Sequence, residues 1–232
     1  MERLDKILAE AGVASRRALK AVIRAGRVSV NGQVVRSPEA KADAAEDAIT
    51  VDGIPIRRKR TVVLALHKPA GYVTSTEDPR DATVMELLPE AYRNLGIVPV
   101  GRLDKETEGL LLLTNDGALL HRLISPRHRV PKVYEAEHVG EADPADVAAF
   151  AAGLTLRDGE TCLPAELTPL GPGRSRIILH EGKYHQVRRM MAARGMPVTY
   201  LLRVAEGPIT LEGLPRGQCR ELQGEELRRL TD

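Results

Sequence analysis

Residues 98–117 read VPVGRLDKETEGLLLLTNDG. Two apolar runs, Ile97–Val100 and Leu110–Leu113, read as buried strands flanking a short polar segment that holds Arg102, Leu103 and Asp104. Asp104 is the candidate with chemistry, although by itself a turn or a backbone cap explains it, as loop solvent or a tight turn explains Glu106, Glu108 and Asp116. The same texture continues on both sides. TVVLALHKPAG (61–71), SRIILHEG (175–182) and VTYLLRVAEG (198–207) read as strands ending in turn residues. GALLHRLI (117–124), ADVAAFAAGL (145–154) and YHQVRRMMAARG (184–195) read as helices; the last turns Val187, Met190 and Met191 inward and stops at Gly195. Strands outnumber helices and no even βα repeat occurs, so the expected class is α+β with a large, mostly antiparallel mixed sheet.

The chain has 232 residues, 43% hydrophobic and 28% charged, as in a globular protein of one large or two smaller domains. The absence of a run of about 18 apolar residues predicts no membrane span. The charged, amphipathic MERLDKILAE start has no signal-peptide character, so a cytoplasmic location is expected. Cys162 and Cys219 are too few and too far apart for a disulfide scaffold or a zinc site. Charge is uneven: residues 1–60 hold 13 Lys and Arg against 8 Asp and Glu, and the remainder 21 against 24. A small basic module before a near-neutral larger one points to an anionic partner held by the first part.

In that first part, RLDKILAEAG (3–12) places Leu4, Ile7, Leu8 and Ala11 at helical spacing. Ser15 reads as the N-cap of a second helix whose stripe is Ala18, Leu19, Val22 and Ile23 and whose stop is Gly26. At about 100° per residue, Arg16, Arg17, Lys20, Arg24 and Arg27 share one sector of about 100°. No acid occurs from Ala11 to Pro38, so this face favours phosphate over a mixed-sign solvated surface. RVSVNGQVV (27–35) and AITVDGIPI (48–56) read as hairpins about Asn31-Gly32 and Asp52-Gly53. Two short helices, a basic face and small hairpins resemble the S4 RNA-binding domain. The expected division is an S4-like domain over 1–56, a basic linker over 57–61 containing RRKR, and a larger domain over 62–232.

Several catalytic signatures are missing. There is neither G-x-x-x-x-G-K-[ST] nor G-x-S-x-G. In HEGKYH (180–185) the two histidines are five apart, about 140° on a helix, and Gly182 favours a turn, so no metal site is expected. His121 and His128 lie in a basic, proline-punctuated stretch suited to RNA contact.

GRLDKETEGLLLLTNDG (101–117), with HKPAGYVTS (67–75), KVYEA (132–136) and EGKYHQVRRM (181–190), resembles in order and spacing the pseudouridine synthases of the Rsu type. With the S4-like part in front, the resemblance covers nearly the whole chain. It implies isomerisation of a uridine in RNA to its C-glycoside, with no redox change and no cofactor. It assigns Asp104 as the carboxylate that attacks or stabilises C1′ of the ribose, comparable to the carboxylates of retaining glycosidases. It pairs Arg188 with Asp104 to keep the acid ionised in a dry pocket, Arg standing where small-subunit enzymes often have Lys. It packs Tyr134 on the flipped uracil and lines the base pocket with Leu201. It also implies that Arg102 contacts phosphate or displaces the base, and that Lys132, Arg189 and Arg203 contact RNA. Ala205 departs from a basic residue common in relatives. Tyr184-His185 resembles small-subunit enzymes more than large-subunit ones, which tend to carry Asn-Arg there. The expected partner is therefore ribosomal RNA, 16S in an assembling small subunit, acted on by a monomer. The alternatives are a 23S target or a catalytically silent rRNA-binding assembly factor.

Overall fold

The architecture is that of a computed structural model, which describes residues 1–44, 46–56, 61–93 and 95–231. The RRKR word at 57–60 lies outside the described residues. The chain divides into two compact units, Met1–Arg60 and Thr61–Asp232.

In the first unit, β1 (Glu2–Arg3) leads into α1 (Leu4–Glu10) and α2 (Arg16–Arg24), followed by β2 (Val28–Val30), β3 (Gln33–Val35), β4 (Lys41–Ala42), β5 (Ile49–Val51) and β6 (Ile54–Pro55). Strand β1 pairs with β4, and the other four form a sheet in the order β3-β2-β5-β6. The Ser15 side chain accepts from Ala18 N–H and caps α2. Asn31-Gly32 and Asp52-Gly53 both take positive φ at both positions, which matches the twist of the strands they join. Leu4, Ile7, Leu8, Leu19, Ile23, Val28 and Ile49 make a core of this unit's own. Asp5, 1% exposed, fixes the helix pair: it accepts from Arg3 at 3.0 and 3.1 Å and from Arg16 at 3.0 Å.

In the second unit the order is β7 (Val63–Lys68), α3 (Glu90–Arg93), β8 (Val98–Pro99), β9 (Glu108–Thr114), α4 (Gly117–Ile124), β10 (Lys132–His138), α5 (Pro144–Ala152), β11 (Glu166–Gly171), β12 (Arg174–Leu179), α6 (Gln186–Ala193), β13 (Val198–Glu206), β14 (Ile209–Thr210), β15 (Cys219–Glu221) and α7 (Gly224–Thr231). The main sheet runs β11-β12-β10-β13-β9-β7-β15, with β14 beside β13 and β8 beside β9. Among the described strand pairs of this sheet, β9 with β13 is parallel and the rest are antiparallel.

Over β7 and β9 both faces of this sheet are covered, whereas β11 and β12 bury one face. Leu64, Leu66, Leu111 and Leu113 enter one core with Phe150 of α5 and Val187, Met190 and Met191 of α6. Val63, Ala65, Leu110 and Leu112 enter the other with Leu119 and Leu123 of α4 and Leu230 of α7. Burial on both faces is why β7 and β9 read as unbroken apolar runs rather than alternating ones. The parallel seam needs Gly109: its φ is +115°, and a Cβ there would lie 2.2 Å from Arg203 O. Glu108 differs from its expected loop position. It is buried at the start of β9, paired with Arg216 at 2.9 Å and accepting from Tyr200 Oη at 3.1 Å.

Candidate active site

The polar segment between β8 and β9 is a loop held from behind by the turn after β7. Lys68, fully buried, ends the apolar strand and donates from Nζ to the carbonyls of Pro69, Lys105 and Thr107 at 3.0, 3.0 and 2.8 Å. Gly71 N–H donates to Lys105 O at 2.9 Å. Thr74 straps Leu103 twice: its Oγ1 donates to Leu103 O at 2.7 Å and accepts from Leu103 N–H at 3.1 Å. A charged ammonium in an apolar setting is costly, and burial lowers Lys68 to about 8, opposed by Glu106, Glu108 and Asp104. These contacts fix both sides of Asp104 while its carboxylate stays one-third exposed.

Asp104 opens into a cleft of about 790 Å³. Its lining includes Arg102, Leu103, Asp104, Lys132, Tyr134, His185, Leu201, Arg203 and Glu206. Tyr134 projects from β10 with 9% exposure, and Leu201 from β13 with 3%. Burial holds the Tyr134 phenol above its ordinary value, partly opposed by the Arg203 guanidinium, so the ring presents a neutral O–H.

Four expectations about cations change. Arg188 donates from Nη1 to Val198 O at 3.2 Å rather than to Asp104, because its position on α6 directs it along the helix toward β13. Among the described residues, Asp104 has an ion-pair contact with His185, whose Nε2 lies 3.4 Å from Oδ1. Arg203, expected at RNA, is 1% exposed; its Nε donates to Leu110 O at 2.7 Å and its Nη2 lies 3.1 Å from Glu206. It is a buried support beneath Tyr134, its cross-strand partner. Arg189 is tied to Glu160 at 2.7 Å and to Asp158, so its charge is already answered. Lys132 is 15% exposed, sits 3.8 Å from Glu206, and is lowered by burial.

In the first unit Arg27 lies beyond the end of α2 and forks onto Asp52, with Nε 2.8 Å from Oδ1. Arg16 is held by Asp5. The pattern that made the face look free of acids could not register an acid from the preceding helix. Arg17, Lys20 and Arg24 are exposed and carry no ion pair among the described residues.

Lys68, Thr74, Glu206 and His185 were not legible as site residues, although a lysine terminating the run VVLAL was a physical signal for Lys68. Among the described residues no helix is long and apolar enough to cross a membrane.

Asp104, on a loop clamped from the sheet, thus shares one cleft with a buried tyrosine and the apolar Leu201. The chain matches the family model of RNA pseudouridylate synthase over residues 62–193 and that of the S4 domain over residues 2–49. It is 41% identical to the Pseudomonas aeruginosa ribosomal small subunit pseudouridine synthase A, over 97% of this chain and 98% of that one. It is 37% identical to the Bacillus subtilis ribosomal large subunit pseudouridine synthase B, over 99% and 96%. A crystal structure of a pseudouridylate synthase superposes with a TM-score of 0.71 at 33% identity, covering 99% of this chain and all of that one. The chain belongs to the RNA pseudouridylate synthase family and carries an N-terminal S4 domain.

Proposed function

We propose that this isomerase converts one uridine of 16S ribosomal RNA to pseudouridine in the cytoplasm, acting as a monomer with Asp104 as the nucleophile. The observation that carries the reading is the clamped Asp104 loop facing Tyr134 and Leu201 in one cleft. The uridine leaves its stack and enters the cleft, exchanging base stacking for the Tyr134 ring and the Leu201 side chain. Asp104 attacks C1′ as the bond to N1 breaks, and the detached uracil turns within the cleft. C5 then bonds to C1′, Asp104 is released, and the C5 proton is lost to solvent. Since no water has to be activated, one carboxylate suffices where a hydrolytic enzyme uses two. Arg17, Lys20 and Arg24 supply the phosphate contacts that hold the RNA, and Arg102, exposed at the cleft, takes a backbone phosphate near the target.

Tyr184-His185 and the 41% identity to a small-subunit enzyme support the 16S target. The large-subunit enzyme at 37% favours 23S as the second reading. Tritium release from RNA labelled at uridine C5 tests both, using 16S and 23S RNA, free and in assembly particles, beside Asp104→Asn. Release from 16S material alone, absent in the variant, is expected. Release from 23S material would move the target. Binding without any release would leave an assembly factor.

A further inference from the structure

Tyr184 is out of place as a structural residue. The chain has five tyrosines, one phenylalanine and no tryptophan. The other four tyrosines are buried or half-buried, whereas Tyr184 is 75% exposed. It is nevertheless not a loose side chain: its ring stacks on His185 with centroids 3.9 Å apart and an interplanar angle of 17°. His185 takes a left-handed conformation, φ 47°, directly before α6, and reaches Asp104 at 3.4 Å.

The segment is braced by hydrogen bonds of its own neighbours. Glu181 accepts from Leu163 N–H at 2.8 Å and from Gln186 Nε2 at 2.6 Å. Lys183 donates from Nζ to Glu160 at 3.0 Å. A left-handed histidine persists only where its surroundings fix it. Holding it here sets an aromatic ring at the mouth of the cleft with most of its surface open to solvent.

We propose that Tyr184 is a stacking platform for the nucleobase adjacent to the target uridine, with His185 as its backing ring. This rests on the reading of Asp104 and Tyr134 given above. With the target ribose at Asp104 and its base between Tyr134 and Leu201, the next nucleotide has to leave through the mouth. There it has lost its stacking neighbour, and a flat, pre-oriented ring replaces that neighbour for any base identity. A phosphate ligand would call for a cation at this position. The cation nearest in sequence, Lys183, is neutralised by Glu160, so the local chemistry selects a base.

The test compares wild type with Tyr184→Phe and Tyr184→Leu by initial rates of tritium release from 16S and 23S transcripts labelled at uridine C5. Tyr184→Leu is expected to raise KM about tenfold, within the range of one base–aromatic stack, with kcat held within about twofold; Tyr184→Phe should keep the wild-type KM. An unchanged KM in Tyr184→Leu overturns the proposal. So does a fall in kcat alone, which would mean that Tyr184 only holds His185 on Asp104. A second measurement needs no turnover. Fluorescence of a uridine dodecamer carrying one 2-aminopurine should be quenched on binding wild type and Tyr184→Phe, and not Tyr184→Leu. Equal quenching in all three overturns the proposal. Absence of tritium release from wild type would strike the proposed function, while the quenching would still judge the platform.

Discussion

At the scale of single residues, the proposed reactive group, Asp104, sits on a loop that Lys68 and Thr74 hold. Asp104→Asn removes the proposed nucleophile and leaves every contact that clamps its loop, so turnover should fall at least about 10³-fold with RNA affinity within a few-fold. Tritium release and filter binding check the two halves, and a clearly active variant would refute the assignment. Lys68→Met should do the reverse. It removes the donor shared by three carbonyls, of which Lys105 O keeps Gly71 N–H and Thr107 O is left buried without it, and should lower the free energy of unfolding by about 2 kcal/mol, read from a urea titration. The sequence brought Asp104, Tyr134 and Leu201 forward, and the structure brings them to one cleft. It misdirected the cations. Charge alone does not say whether an arginine faces RNA, as Arg17 can, or a buried glutamate, as Arg203 does. That depends on strand register and on acids distant in sequence, which a single chain does not display.

At the scale of elements, the strands and helices were legible because their boundaries are chemically marked. Ser15, Asn31-Gly32, Asp52-Gly53 and Gly195 all sit where capping and turn geometry require them. The parallel seam between β9 and β13 was not legible, since it joins segments about ninety residues apart and no local pattern announces it. Gly109 is its one local trace. Gly109→Ala would drive a methyl into the Arg203 backbone, so a loss of at least about 3 kcal/mol, or failure to accumulate soluble protein, is expected in denaturant melts. The helix pair of the S4 domain gives a pH-dependent counterpart. The Arg3 guanidinium, together with that of Arg16, holds the Asp5 carboxyl below its ordinary 3.8. Its folded value is depressed, so its stabilisation is present above the unfolded value and disappears as pH falls through the folded one. Amide exchange in α1 and α2 should therefore be faster in Asp5→Asn than in wild type at pH 7, and the two should converge in acid.

At the scale of the whole molecule, the proposed phosphate-binding helix face belongs to the first unit and the proposed chemistry to the second. Replacing Arg17, Lys20 and Arg24 together by Gln should weaken RNA binding and flatten the slope of log K against log salt by about 2. Arg16→Gln should chiefly loosen the helix pair through Asp5. An unchanged slope in the triple variant would exclude this face from the RNA contact. The two units have separate cores, and the Asp104 loop is sewn to β7, inside the second. Heat or a core lesion that melts that sheet first would leave a chain that still grips ribosomal RNA while performing no chemistry. A damaged copy would then be worse than a missing one, since it would occupy substrate that intact copies need, and partial loss of this enzyme would act as dominant interference rather than simple shortage.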